Sequence, residues 1–226
     1  MGTLTFGEMK TYVALQFGNN DAWSTPVDYY GVWVNRAYIR LTTQDTLFGL
    51  PGKLFFPKLE ISATAVTVDG TATIAQPTRT LLIRDVYDRT NNRRLTNITP
   101  RTYIDYTDRA DTSKEGQPTE WMRQNNLIYL YPTPDAVYTM NIWYRQIPAV
   151  LSSDSSTTVI GSEWDTSIVS FAAYIGKMWT MDYEKAEFIK EDLKDQVAGI
   201  LTLYGEEAKA RDEFLHLDPV YRDGRY

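Results

Sequence analysis

Residues 119–147, TEWMRQNNLIYLYPTPDAVYTMNIWYRQI, constrain the fold more than any other stretch. Two runs rich in Tyr, Trp, Ile and Leu flank Asn125-Asn126. Asparagine tolerates positive φ, so this pair predicts a tight two-residue hairpin turn. The second arm, 127–131, runs into Pro132-Thr133-Pro134-Asp135, where a missing proline N–H stops a strand and turns the chain. Beyond it the sequence alternates. Tyr138, Met140, Ile142 and Tyr144 fall on one face, with Thr139, Asn141, Trp143 and Arg145 on the other. Period two with β-branched and aromatic residues predicts a half-buried strand. The expectation is a meander of three consecutive antiparallel strands.

Helical patterns lie on both sides of this β-rich stretch. Thr5-Phe6-Gly7-Glu8 is a capping box, in which the hydroxyl and the carboxylate each satisfy a free N–H at a helix start. Met9, Tyr12, Val13 and Gln16 follow at helical spacing, which predicts a helix over 6–17. Thr25 with Pro26 predicts a second start, because proline is tolerated at the first helical position. Val27, Tyr30, Val34, Ala37 and Leu41 make its apolar stripe, and it should end near Thr43. Ser162-Glu163-Trp164-Asp165 opens a third helix with Ile168, Phe171, Ala172, Ile175 and Trp179 on its inner face. Asp182 caps a fourth, with Ala186, Ile189, Leu193, Val197, Ile200 and Tyr204 in line. Each terminal pair has one apolar face and no partner of its own. The expected fold class is therefore α+β: an antiparallel four-helix bundle of two N-terminal and two C-terminal helices, with an inserted antiparallel β domain. The boundaries read as a helical hairpin over 1–44, the β domain over 45–150, a second hairpin over 151–205 and an extended tail over 206–226.

Within the β segment, 58–68 alternates, Asp69-Gly70 signals a hairpin turn and 71–75 is the return strand. A strand over 80–88 turns at 89–92 and returns over 93–98. Thr99-Pro100 starts one or two helical turns, and the polar stretch 107–117 reads as a loop. The run SSDSSTT, within 152–161, reads as a flexible joint.

Composition excludes several functions. A net charge of −6 is wrong for a general nucleic-acid binder, which needs a basic surface, although not for a protein that merely surrounds DNA. With no cysteine there are no disulfides, thiolate nucleophiles or Cys–zinc sites. No run reaches the length of a membrane span, and no apolar segment follows Lys10 as in a secretory signal, so the expected compartment is the cytoplasm or a particle assembled there. His216, the single histidine, falls in the expected tail, where nothing would hold it in a triad. Asp105, Asp108 and Asp111 lack EF-hand spacing and sit beside Arg109, so a solvated loop is the better reading. Glu120, Asp135 and Glu163 are candidates for a carboxylate pair, but each fits a strand position, a turn or a first helical turn. Arg79, Arg84, Arg89, Arg93, Arg94 and Arg101 interleave with Asp85, Asp88, Asp105 and Asp108, which favours mixed surface pairing. No nucleotide-binding loop is present, and no cofactor or metal is implied. Tyr 16 and Trp 6 tilt the reading toward self-association.

The phrases TLTFGEMKTYVALQFGN, WVNRAYIRL, LLIRDVYD with RRLTNITPRTY, QPTEWM, NNLIYLYPTPDAVYTMNIWYRQIPAVLS and SEWDTSIVSFAAYIGKMWTMDYEKAE, in that order, resemble the head-to-tail adaptor (connector) proteins of tailed bacteriophages, closest to those of short-tailed phages. The stretch after Gly205 and the AVTVDGTATIA segment match least. The resemblance implies a structural, non-enzymatic virion protein at the head–tail interface. It implies a ring, usually of twelve copies, that surrounds the DNA exit channel without sequence-specific binding. The implied partners are the portal protein, reached by a C-terminal tail, and nozzle, tube or fibre proteins of the tail. On that reading Phe214, Leu215, Leu217, Tyr221, Arg222, Arg225 and Tyr226 are the candidate portal-binding residues, and Trp121, Tyr129, Tyr131 and Trp143 the candidate subunit or tail-protein contacts. Two other readings compete: a carbohydrate- or receptor-binding β module of a tail protein, motivated by those same four aromatics, and a carboxylate-based cell-wall hydrolase.

Overall fold

The computed structural model describes residues 3–20, 23, 27–44, 47–49, 54, 56–109 and 114–217, with backbone alone for 108–109 and 204–217. The helices are α1 (Phe6–Gln16), α2 (Tyr29–Thr43), α3 (Pro100–Arg109), α4 (Asp165–Trp179) and α5 (Tyr183–Leu217). The strands are β1 (Glu60–Val66), β2 (Thr73–Ala75), β3 (Thr80–Asp88), β4 (Arg93–Arg94), β5 (Thr96–Asn97), β6 (Glu120–Gln124), β7 (Leu127–Tyr131) and β8 (Thr139–Gln146). The chain divides into two compact units: a helical one of Met1–Phe56 with Ala149–Tyr226, and a β one of Pro57–Pro148.

In the helical unit α1 starts where its capping box places it. The Thr5 hydroxyl accepts from the Glu8 N–H, and the Glu8 carboxylate accepts from the Thr5 N–H. The second helix begins at Tyr29 with Asp28 as cap, its carboxylate accepting from the Gly31 N–H at 2.9 Å. The expected start at Thr25-Pro26 lies outside the described residues. The α2 stripe is buried as patterned at Tyr30, Val34, Ala37 and Leu41 and widened by Trp33 and Tyr38, whereas Val27, ahead of the helix, is exposed.

The four-helix bundle and the extended tail are corrected. Among the described residues five α-helices accompany two four-stranded sheets, and the helical unit is a hub rather than a bundle. The hub is α4, against which α1, α2 and α5 all pack; neither α1 nor α2 makes a comparable contact with α5. Sequence explains why. Ile168, Val169, Phe171, Ala172, Ala173 and Ile175 bury α4 nearly all round, so it needs neighbours on every side. Gly176 lets two of them come close: a Cβ there would lie 2.7 Å from both Phe17 and Trp33. The buried stripe of α5 is narrower, Ala186, Leu193 and Val197, enough for one neighbour. Gln196 Nε2 donates to Ser170 Oγ across that contact, so α5 runs antiparallel to α4 and passes its start near residue 201. Instead of giving way to an extended tail at 206, α5 continues to Leu217. Gly205 inside a helix costs only about 1 kcal/mol, and Glu206, Glu207, Ala208, Lys209 and Ala210 after it are good helix formers.

The serine-rich stretch is not a loose joint. Phe6 N donates to Ser156 O at 2.7 Å, Gly7 N to Asp154 O at 3.0 Å, and Thr5 bridges Thr157. Asp165 ties the same corner together, accepting from Leu4 N at 2.7 Å and Thr158 Oγ1 at 2.9 Å. Burial pushes its carboxyl up from the usual 3.8, against the pull of those two bonds.

The β unit is two sheets, ordered β1-β8-β3-β4 and β2-β7-β6-β5, sharing one core. Asn125 and Asn126 both take positive φ and close the β6–β7 hairpin as expected. The meander does not extend further. After Pro132–Asp135 the chain leaves for the other sheet, where β8 lies between β1 and β3. Likewise Asp69-Gly70 turns the chain, but β1 pairs with β8 and β2 with β7 rather than with each other. Alternation fixes which face a strand buries, not which strand it pairs with. The predicted inner face of β8 holds: Met140, Ile142 and Tyr144 meet Ile128, Leu130 and Trp121 from the second sheet. Helix α3 is ten residues long, more than the turn or two expected, with the Thr99 hydroxyl accepting from the Thr102 N–H at 3.2 Å. Of the polar stretch 107–117, the part from 114 is tied down: Gly116 N donates to Thr133 O at 2.8 Å.

Candidate functional site

The four aromatics chosen as contact candidates have different fates. Trp121 is 3% exposed, a core residue between the sheets. Tyr129 and Tyr131 are half-buried under α3, where Tyr103 meets Tyr129 edge-on at 5.6 Å and Tyr106 stacks on Tyr131 at 4.9 Å. Burial, with the Tyr129 phenol nearby, raises the pKa of Tyr103. Of the four, Trp143 is the one largely exposed, at 49%. The carboxyl-terminal candidates Phe214, Leu215 and Leu217 stand on the α5 backbone, as does His216; Tyr221, Arg222, Arg225 and Tyr226 lie outside the described residues.

The titratable groups singled out earlier have structural surroundings. Asp135 accepts from the Tyr138 hydroxyl, and this bond holds the Tyr138 pKa up at about 12. Asp88 accepts from Thr90 N, Asn91 N and Asn91 Nδ2, which shapes the β3–β4 turn. Arg84 pairs with Glu60 at 2.9 Å and Arg94 with Asp85 at 2.8 Å. Among the described residues no cluster of His, Asp or Glu has the makings of a metal site.

The helical unit, by contrast, carries two exposed flanks on either side of α4 that sequence reasoning missed. The first lies over α4 beside α1. Glu8, Tyr12 and Leu15 follow at i, i+4 and i+7, one stripe of α1. Tyr12 and Leu15 are exposed and overhang a groove of about 630 Å³ floored by Thr166, Val169 and Ser170. Across Ser170, Gln196 Nε2 also holds Asp192 Oδ2 at 2.7 Å, so a second carboxylate borders this flank. The lower-than-usual pKa of Glu8 comes from its bonds to the Thr5 backbone and hydroxyl.

The second flank is formed by α2 and α4. Val32, Arg36 and Arg40 share one stripe of α2 and are exposed. A cavity of about 270 Å³ separates the two arginines from Tyr174, Met178 and Trp179. Trp179, placed on the inner stripe by periodicity, is 55% exposed and touches Tyr29 at 6.2 Å between ring centroids. Neither arginine has an acidic partner among the described residues. Met181, Tyr183 and Phe188 extend the apolar surface around the α4–α5 turn. The signal was present in the sequence: on a stripe of period 3.6, a second set of large residues offset from the buried set marks a second face.

Large exposed aromatics on the helices, Trp179, Tyr183 and Phe188 among them, are the kind of surface that protein–protein contacts use. A family model matches residues 4–213, nearly the whole chain, and the chain belongs to the SU10 adaptor protein family. It is a phage structural adaptor, a virion component that interacts with other head and tail proteins. No curated protein matches the chain. No helix among the described residues is long and apolar enough to cross a membrane.

Proposed function

We propose that the protein is the head-to-tail connector of its virion: a ring between portal and tail, of twelve copies, that surrounds the DNA exit channel. The family match over both units carries this reading. In it, the segments 1–44 and 151–205 build the ring, the inserted segment 45–150 meets nozzle, tube or fibre proteins, and 206–226 reaches the portal. A net charge of −6 supports the channel role, because like charge gives DNA no counterion-release gain and lets it slide. The two apolar flanks of the helical unit support self-assembly. Phe214, Leu215, Leu217, Tyr221, Arg222, Arg225 and Tyr226 are the proposed portal contacts, and Trp143 the exposed candidate for a tail-protein contact.

The test is to mix the purified full chain with portal-bearing heads and image them. Rings of adaptor at the portal vertex are the expected result; persistent monomers that bind no head would overturn the reading. A chain shortened by residues 214–226 should stay folded and lose docking. Docking retained by it would remove the tail as the anchor.

A further inference from the structure

We propose that the two flanks of α4 are the two halves of one joint between neighbouring copies, Arg36 and Arg40 of one copy facing Glu8 and Asp192 of the next. The inference rests on the ring reading and names the surfaces that would close it.

Three observations carry it. The first is charge. The α2 flank presents two exposed guanidiniums with no acidic partner among the described residues; the α1 flank presents two exposed carboxylates, Glu8 and Asp192, that join no ion pair among the described residues. Opposite potentials on opposite flanks attract copies of the same chain and repel the symmetric, same-face pairing. The second is apolar shape. Met178 and Trp179 protrude on the α2 flank, at 39% and 55% exposure, whereas the α1 flank is a groove of about 630 Å³ rimmed by Tyr12 and Leu15. An aromatic anchor in a pocket supplies affinity, and the charges supply register. The third is placement. The flanks are different surfaces of one rigid hub, so the contact is heterologous, and a heterologous contact closes into a ring when its rotation permits. The packing of α5 on α4 alone leaves the α1 groove open, so the departure from a four-helix bundle is what provides the receiving surface.

The absence of native cysteine makes a clean test. Leu15→Cys and Trp179→Cys are introduced together, the full chain is assembled on portal-bearing heads, and a short bis-maleimide is added. The expected product is a covalent ladder that climbs to the ring size, with neither single variant passing a dimer. Separately, Arg36→Glu with Arg40→Glu should lower ring occupancy by about tenfold or more, and adding Asp192→Arg with Gln16→Arg, Gln16 lining the same groove as Leu15 and standing in for the capping Glu8, should restore it. All four positions are exposed or half-exposed and lie outside the caps, and an unchanged circular-dichroism melt checks that the variants fold. Rings that form normally in the Arg36→Glu, Arg40→Glu variant without any 15–179 ladder overturn the joint and leave the ring reading standing. Cross-linking confined to dimers overturns it too. A wild-type chain that forms no ring on heads sinks both.

Discussion

The helical and β units dispose of their aromatic side chains in opposite ways. In the β unit, Trp121, Tyr138 and Tyr144 are spent on the core between the sheets, Tyr129 and Tyr131 are roofed by tyrosines of α3, and Trp143 alone among the described aromatics stays largely exposed. In the helical unit, Trp33, Trp164 and Phe171 fill the core, yet Tyr12, Trp179, Tyr183 and Phe188 remain on the surface. A sandwich of two sheets can satisfy itself, because each inner face is the other's partner. A hub helix with three satellites cannot: gaps between satellites stay open, and any apolar residue bordering them waits for another molecule. The helical unit is therefore the better candidate for assembly, and its tolerance to substitution should divide sharply between hub and flanks.

The largest effect is expected at the hub. Leu193 is fully buried against α4, so Leu193→Asp should cost about 4 kcal/mol or more and unfold the helical unit. A thermal melt that loses helical signal while near-ultraviolet signal from the β unit persists would show that the two units stand alone; a single shared collapse would break that separation. Next is Gly176→Ala, where the new methyl meets Phe17 and Trp33 at 2.7 Å; overpacking of this kind should cost about 1–3 kcal/mol in chemical denaturation. On the β side, Asn126→Ala forces a residue without a short polar side chain to positive φ, at about 1 kcal/mol, whereas Asn126→Gly should be neutral or better. An equal loss in both variants would mean that the asparagine side chain matters more than its φ.

The smallest effect concerns pH. The folded pKa of Asp165 is raised by burial, so the folded chain holds this proton more tightly than the unfolded one. The stability it contributes is full below the unfolded value of 3.8 and is lost as pH rises through the raised folded value. Asp165→Asn should flatten that part of the stability–pH curve. A curve unchanged by the substitution would show that the carboxylate is relieved by solvent in the free protein.

What could be read from sequence was local. The capping box at Thr5 and Glu8, the turn at Asn125-Asn126 and the inner face of β8 each rest on residues within a few positions of one another, and each appears as patterned. Strand partners are not local. Asp69-Gly70 turns the chain correctly but says nothing about β1 pairing with β8, many residues away. The length of α5 was hidden by one glycine, whose weak penalty the surrounding helix formers outweigh. Arg36 and Arg40 gave no sign as residues of interest, because a lone arginine becomes informative only once its neighbours are known.

The order in which strands visit the two sheets has a consequence for biosynthesis. The sheet that opens with β1 is centred on β8, the last strand made, and the satellites α1 and α2 must wait for α4 beyond it. As the polypeptide emerges from the ribosome, the β unit cannot close before β8 ends at Gln146 and the helical unit cannot close before α4, because loop closure over so many residues precedes any reward from contact. In nascent chains the helical unit should accordingly stay protease-sensitive until α4 has emerged, after the β unit has already had all of its strands.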